Sequence, residues 1–110
     1  LTSAAITRTL IRMAGLGRIS VRGIADNRQW SPACDALVSA HIDLVRAVHQ
    51  HSAMHLKVAV VDRRYVALGS FNWTNNAKRR NDEVLLTCDS TPLAAVLIEQ
   101  IDAARKANRP

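Results

Sequence analysis

The chain has 110 residues, 48% of them hydrophobic and 22% charged, with four glycines and three prolines. That is the makeup of one globular domain with a core, and it excludes a self-contained multidomain enzyme, a disordered chain and a fibrous repeat. Fifteen Lys and Arg against nine Asp and Glu give a net charge of +6, which suits a polyanionic partner or, equally, a basic surface that keeps the protein dissolved.

Taken in chain order, Ile6, Leu10 and Met13 fall at helical spacing and are followed by Gly15 and Gly17, so the opening reads as a helix with a glycine C-cap. Ile19, Val21 and Gly23 then alternate with Ser20 and Arg22 and lead through Ile24 and Ala25 into the polar run Asp26 to Arg28, the pattern of a strand. Ser31 and Pro32 start a second helix, Ser as N-cap and Pro at the first helical position, running through Ala33, Leu37 and Val38. Its end carries no signal, and Ile42 to Val48 fits a continued helix or a short strand. Leu56 to Val61 and Tyr65 to Leu68, separated by Asp62, Arg63 and Arg64, predict a hairpin. A strand over Glu83 to Cys88 follows. A last helix starts at Thr91 and Pro92, with Leu93, Val96, Leu97, Ile101 and Ala104 as its apolar face. Helices interleaved with strands predict an α/β or α+β layer architecture within a single domain, residues 1–110.

Several chemistries are disfavoured. The longest apolar runs are far shorter than the roughly 20 residues of a membrane-spanning helix, and four aromatic residues are too few for a base-stacking platform. Cys34 and Cys88 form no CxxC pair and read as small hydrophobes in the core. His49, His51 and His55 have no cysteine or carboxylate nearby to complete a tetrahedral zinc set. The sequence around Ser70 is not a GxSxG nucleophile elbow. The chain opens on Leu1 with no apolar stretch of signal-peptide length behind it, which leaves the cellular compartment open.

One constellation does carry chemistry. His55 and Lys57, two apart on a strand, project from the same face. The hairpin returns the chain antiparallel, so that Gly69-Ser70-Phe71-Asn72 ends close to where the first strand began. An imidazole, an ammonium, a hydroxyl and an amide in one place suit a phosphoryl centre with anionic oxygens.

His55-x-Lys57, four residues, Asp62, six residues and Gly69-Ser70-x-Asn72 together resemble the HKD signature of the phospholipase D superfamily. With Trp73, Thr74 and Asn81-Asp82-Glu83, the neighbourhood is most similar to the small, single-motif nuclease branch. The resemblance implies a mixed β-sheet flanked by helices on both faces. Single-motif members begin with a strand, a helix and a second strand ahead of the helix at Ile6, so the expectation is a partial domain, its C-terminal two thirds or more. It implies His55 as nucleophile through a phosphohistidine, Lys57 and Asn72 on the non-bridging oxygens with Ser70 assisting, and Glu83 orienting the histidine ring. Asp62 and Gly69 are structural in the motif. It further implies a metal-independent phosphodiesterase with no cofactor. A second histidine is needed to protonate the leaving oxygen, and single-motif members supply it by forming a homodimer with one composite site. The expected substrate is DNA or RNA, cleaved as by a non-specific endonuclease, with Arg63, Arg64, Lys78, Arg79 and Arg80 as candidate backbone contacts. The alternatives are a phospholipid substrate for the same site, or a truncated, non-catalytic nucleic-acid-binding module.

Overall fold

The computed structural model describes residues 4–48, 57–69 and 85–109. Helix α1 (Ala4–Gly15) ends as the glycines predict. The Gly17 N–H donates to the Ala14 carbonyl and the Arg18 N–H to the Met13 carbonyl, at 3.0 and 3.1 Å, with Gly17 in the left-handed region at φ 69°. These are the paired bonds of a Schellman cap. Strand β1 (Arg22–Asp26) begins three residues later than the alternation from Ile19 suggests. Its start is set by where a partner strand exists, and that partner begins at Asp43.

A 3-10 turn (Asn27–Gln29) follows, closed by the Asp26 carboxylate accepting from the Arg28 N–H at 2.9 Å. Helix α2 (Pro32–Ser39) starts at the predicted Ser-Pro pair, although the buried Ser31 hydroxyl donates to the Cys34 sulfur at 3.6 Å instead of capping. The helix ends in a second Schellman cap. The His41 N–H donates to the Val38 carbonyl and the Ile42 N–H to the Leu37 carbonyl, at 2.9 and 3.1 Å, and His41 takes the left-handed position at φ 64°. Ile42 is buried behind the cap, and β2 (Asp43–Ala47) leaves at once to pair parallel with β1, Arg22 opposite Asp43 through Asp26 opposite Ala47. The segment left open between helix and strand is therefore the second strand of a βαβ unit.

Strands β3 (Lys57–Val61), β4 (Tyr65–Gly69) and β5 (Leu85–Asp89) form an antiparallel unit in that order. Val58, Val60, Val66 and Leu68 share the face that packs against Leu93, Ala94 and Leu97 of α3 (Thr91–Asn108). Helix α3 is capped by the Ser90 hydroxyl, which accepts from the Leu93 N–H at 3.2 Å, and it lies against β1, β2, β3 and β4. Its buried positions are Ala94, Leu97, Arg105 and Asn108, whereas Val96 is exposed. The expected apolar face is thus wrong in part: the first half of α3 meets the valines of the hairpin, and the second half meets the polar end of β2. Cys34 is buried as expected; Cys88 is exposed, because every residue of β5 is exposed.

The architecture is mixed α/β, with the parallel and antiparallel strands in two ladders among the described residues. Helices flank the parallel pair on opposite faces. Asp43 of β2 is held by Arg105 of α3 and by Arg109 just past its end, while Arg46, an odd number of residues along the strand, lies over Trp30, two residues ahead of α2.

Candidate active site

The hairpin register decides which residues meet. Lys57 opens β3 and lies opposite Gly69, the last residue of β4, which in turn lies opposite Leu85, the first of β5. At about 4.8 Å between neighbouring strands, this row is roughly 10 Å wide. Lys57, half-buried, shares with Ala59 and Val61 the sheet face turned away from α3. Of the other expected catalytic residues, His55, Ser70, Asn72 and Glu83 lie outside the described residues, as do Lys78, Arg79 and Arg80.

Asp62 sits at the opposite end of the hairpin. Asp62 and Arg63 both have φ 56° and the Arg64 N–H donates to the Val61 carbonyl at 3.1 Å, a turn with two left-handed residues that matches the twist of the strands it joins. Four strand intervals separate Lys57 from Val61, so the turn is about 14 Å or more from the Lys57 row. Arg64 is engaged there. Its guanidinium donates twice to the Asp89 carboxylate, at 2.7 Å each, and lies 5.1 Å from the Tyr65 ring centroid. The Asp89 hydrogen bond raises the Arg64 pKa above its ordinary value. Arg63 is exposed at the same turn.

A shallow concavity lined by Ala59, Val61, Tyr65, Ala67, Thr87 and Asp89 is mainly apolar, and its one carboxylate, Asp89, is paired with Arg64. Among the described residues no group of three or more His, Cys, Asp or Glu is placed to hold a metal ion, and no helix is long and apolar enough to cross a membrane. The ion pairs that hold β2 to α3, centred on Arg105, were not foreseen, since an arginine two turns past Leu97 reads as a solvated residue.

A mixed α/β domain with a parallel strand pair, an antiparallel three-stranded unit and helices packed on them is the architecture expected of a phospholipase D-like domain. The family model described as cardiolipin synthase, PLD-like domain, matches residues 1–105, and the chain belongs to that family. The fold is also that of the crystal structure of Nuc from Salmonella typhimurium, a phospholipase D family member, with a TM-score of 0.80 at 24% identity; the match covers 98% of this chain and 73% of that one. Mouse mitochondrial cardiolipin hydrolase is 35% identical over 49 residues, which are 44% of this chain and 22% of that protein. The matched part is thus about a fifth of that curated relative's length.

Proposed function

We propose that the chain carries the catalytic signature of a metal-independent phosphodiesterase that cleaves nucleic acid through a phosphohistidine at His55. The row formed by Lys57, Gly69 and Leu85 carries this reading. Connectivity ties His55 to Lys57 and Glu83 to Leu85 through one residue each, and Ser70 directly to Gly69. Each tether is at most about 7 Å, and the one from Gly69 to Asn72 at most about 11 Å, so His55, Ser70, Asn72 and Glu83 are leashed to the Lys57 end of the sheet. A ring nitrogen of His55 attacks phosphorus as the bond to the leaving oxygen breaks. Lys57 and Asn72 take the charge on the non-bridging oxygens, Ser70 assists, and Glu83 holds the ring in orientation. The leaving oxygen takes its proton from the His55 of a second copy across a two-fold axis, and water then releases the phosphoryl group from the first. Asp62 and Gly69 serve the hairpin, at its turn and at its open end.

The net charge of +6, borne mainly by arginines, favours a polyanion with many phosphates over a single headgroup. A phospholipid substrate is the second reading, favoured by the description of the matching family as cardiolipin synthase and by the likeness to a cardiolipin hydrolase. Plasmid, single-stranded DNA and cardiolipin vesicles, each incubated in excess EDTA with the parent chain and with His55→Ala, separate the two. DNA cleavage in EDTA, lost in the variant, is the expected result. Lipid turnover without DNA cleavage establishes the second reading. Salt-sensitive DNA binding that His55→Ala leaves intact, with no turnover of any substrate, makes the chain a binding module.

A further inference from the structure

Four of the arginines are committed to carboxylates: Arg22 to Asp102, Arg64 to Asp89, Arg105 to Asp43 and Asp102, and Arg109 to Asp43. Arg46 is different. It is exposed on β2, its guanidinium carbon lies 4.6 Å from the centroid of the Trp30 ring, and it has no hydrogen bond or ion pair among the described residues. The ring beneath it is itself fixed, since the half-buried Trp30 donates from Nε1 to the Asp35 carboxylate at 2.9 Å. A guanidinium held over an indole is positioned by the ring and keeps N–H groups for a ligand. Planar, paired donors match two oxygens of a phosphate.

Its place in the fold matters as much. Arg46 is the next-to-last residue of β2, at the carboxyl end of the parallel β1–β2 pair, the end at which open α/β sheets receive ligands. The Val48 N–H donates to Asn108 near the end of α3 at 2.9 Å. Helix α3 starts beside the hairpin turn, where the Ser90 N–H donates to the Arg64 carbonyl at 3.0 Å, and it packs on β3 and β4 before reaching β2. It therefore runs from the hairpin to β2, where Asn108 meets the carboxyl end of the strand while Arg105 and Arg109 meet Asp43 at its start.

We infer that Arg46, oriented by Trp30, binds a backbone phosphate of a nucleic-acid strand away from the scissile one and so favours polymeric over single-phosphate substrates. This rests on the nuclease reading above. The test compares Arg46→Gln, Arg46→Lys and the parent chain on two substrates, a mixed-sequence single-stranded oligonucleotide and bis(p-nitrophenyl) phosphate, which has one phosphate. In Arg46→Gln the ratio of kcat/KM for the oligonucleotide over that for bis(p-nitrophenyl) phosphate falls about tenfold, the value of one charge-assisted contact, and Arg46→Lys recovers part of it. In a His55→Ala background, the slope of log affinity for the oligonucleotide against log salt flattens by about 0.7 when Arg46 becomes Gln. An unchanged ratio together with an unchanged slope, in variants with parental urea midpoints, overturns the inference and leaves the nuclease reading in place. A parent chain that turns over bis(p-nitrophenyl) phosphate but neither cuts nor binds the oligonucleotide overturns both.

Discussion

Arg105 tests how the second half of α3 is held to the β1–β2 pair. Its side chain is only 6% exposed. It pairs with the Asp43 carboxylate, approaches the Asp43 carbonyl at 3.5 Å and reaches Asp102 at 3.5 Å, while its buried Nε has no hydrogen-bond partner among the described residues. The carboxylates are half exposed and doubly served: Asp43 also pairs with Arg109 at 2.9 Å, and Asp102 with Arg22 at 2.9 Å. Removing the base and removing the acid therefore have unequal costs. Arg105→Met deletes an orphaned N–H, which costs about 1–3 kcal/mol where it stands, fills the space with apolar atoms and leaves both acids a remaining arginine. The expected change in stability is within about 1 kcal/mol of zero. Asp43→Ala instead leaves a buried guanidinium with the more distant Asp102 alone, and the loss is about 2–3 kcal/mol, below the 3–5 of a fully orphaned charge. In the Arg105→Met background, Asp43→Ala removes only an exposed pair with Arg109, and its cost drops to about 1 kcal/mol or less. Urea unfolding of the four proteins at neutral pH, compared at equal m-values, reads the cycle. An Arg105→Met loss above about 3 kcal/mol, beside a nearly neutral Asp43→Ala, refutes this account of the clamp.

The same carboxylates set an acid limit. The Arg105 hydrogen bond holds the Asp43 pKa below its ordinary value, and that of Arg22 does the same for Asp102. Groups depressed in the folded state stabilise it above the ordinary carboxylate range and lose that contribution as pH falls through their folded values. The urea midpoint is therefore expected to fall below about pH 4, less steeply in a variant carrying Asp43→Asn and Asp102→Asn. Val66, 2% exposed between the hairpin and α3, loses two methyls in Val66→Ala; unfolding should show a cost of about 2 kcal/mol. Ser90→Ala removes the α3 cap and is expected to cost about 1 kcal/mol, with Ser90→Asp restoring most of it in the same assay.

The ends of elements were legible where a residue type is bound to a backbone conformation. Gly17 announced the end of α1 because glycine reaches positive φ without strain. The same cap at α2 passed unread because His41, a residue with no strong turn signature, holds the left-handed position; with the stop hidden, Ile42 to Val48 could not be separated from the helix. The face of α3 was misjudged for a different reason. Its apolar periodicity was read through to Ala104, but the surface it meets changes along its length. Arg105 is buried because Asp43 and Asp102 await it, which no pattern within the helix reveals.

The hairpin that frames the proposed site was legible because the predicted strands and their connection fix the register that the structure shows. Side chains alternate along a strand, so Lys57, Ala59 and Val61 share one face of β3. The twelve positions from Lys57 to Gly69 are what two five-residue strands and the three-residue connection Asp62 to Arg64 require to set those residues opposite each other. One residue more or fewer in that connection shifts the pairing of β3 with β4 and turns one strand's side chains to the other face. It would take Val66 off α3 or Lys57 off the outer face. Asp62, about 14 Å or more from Lys57, bears on that register: a residue tolerant of positive φ holds the turn, and the turn fixes what lies opposite what at the far end.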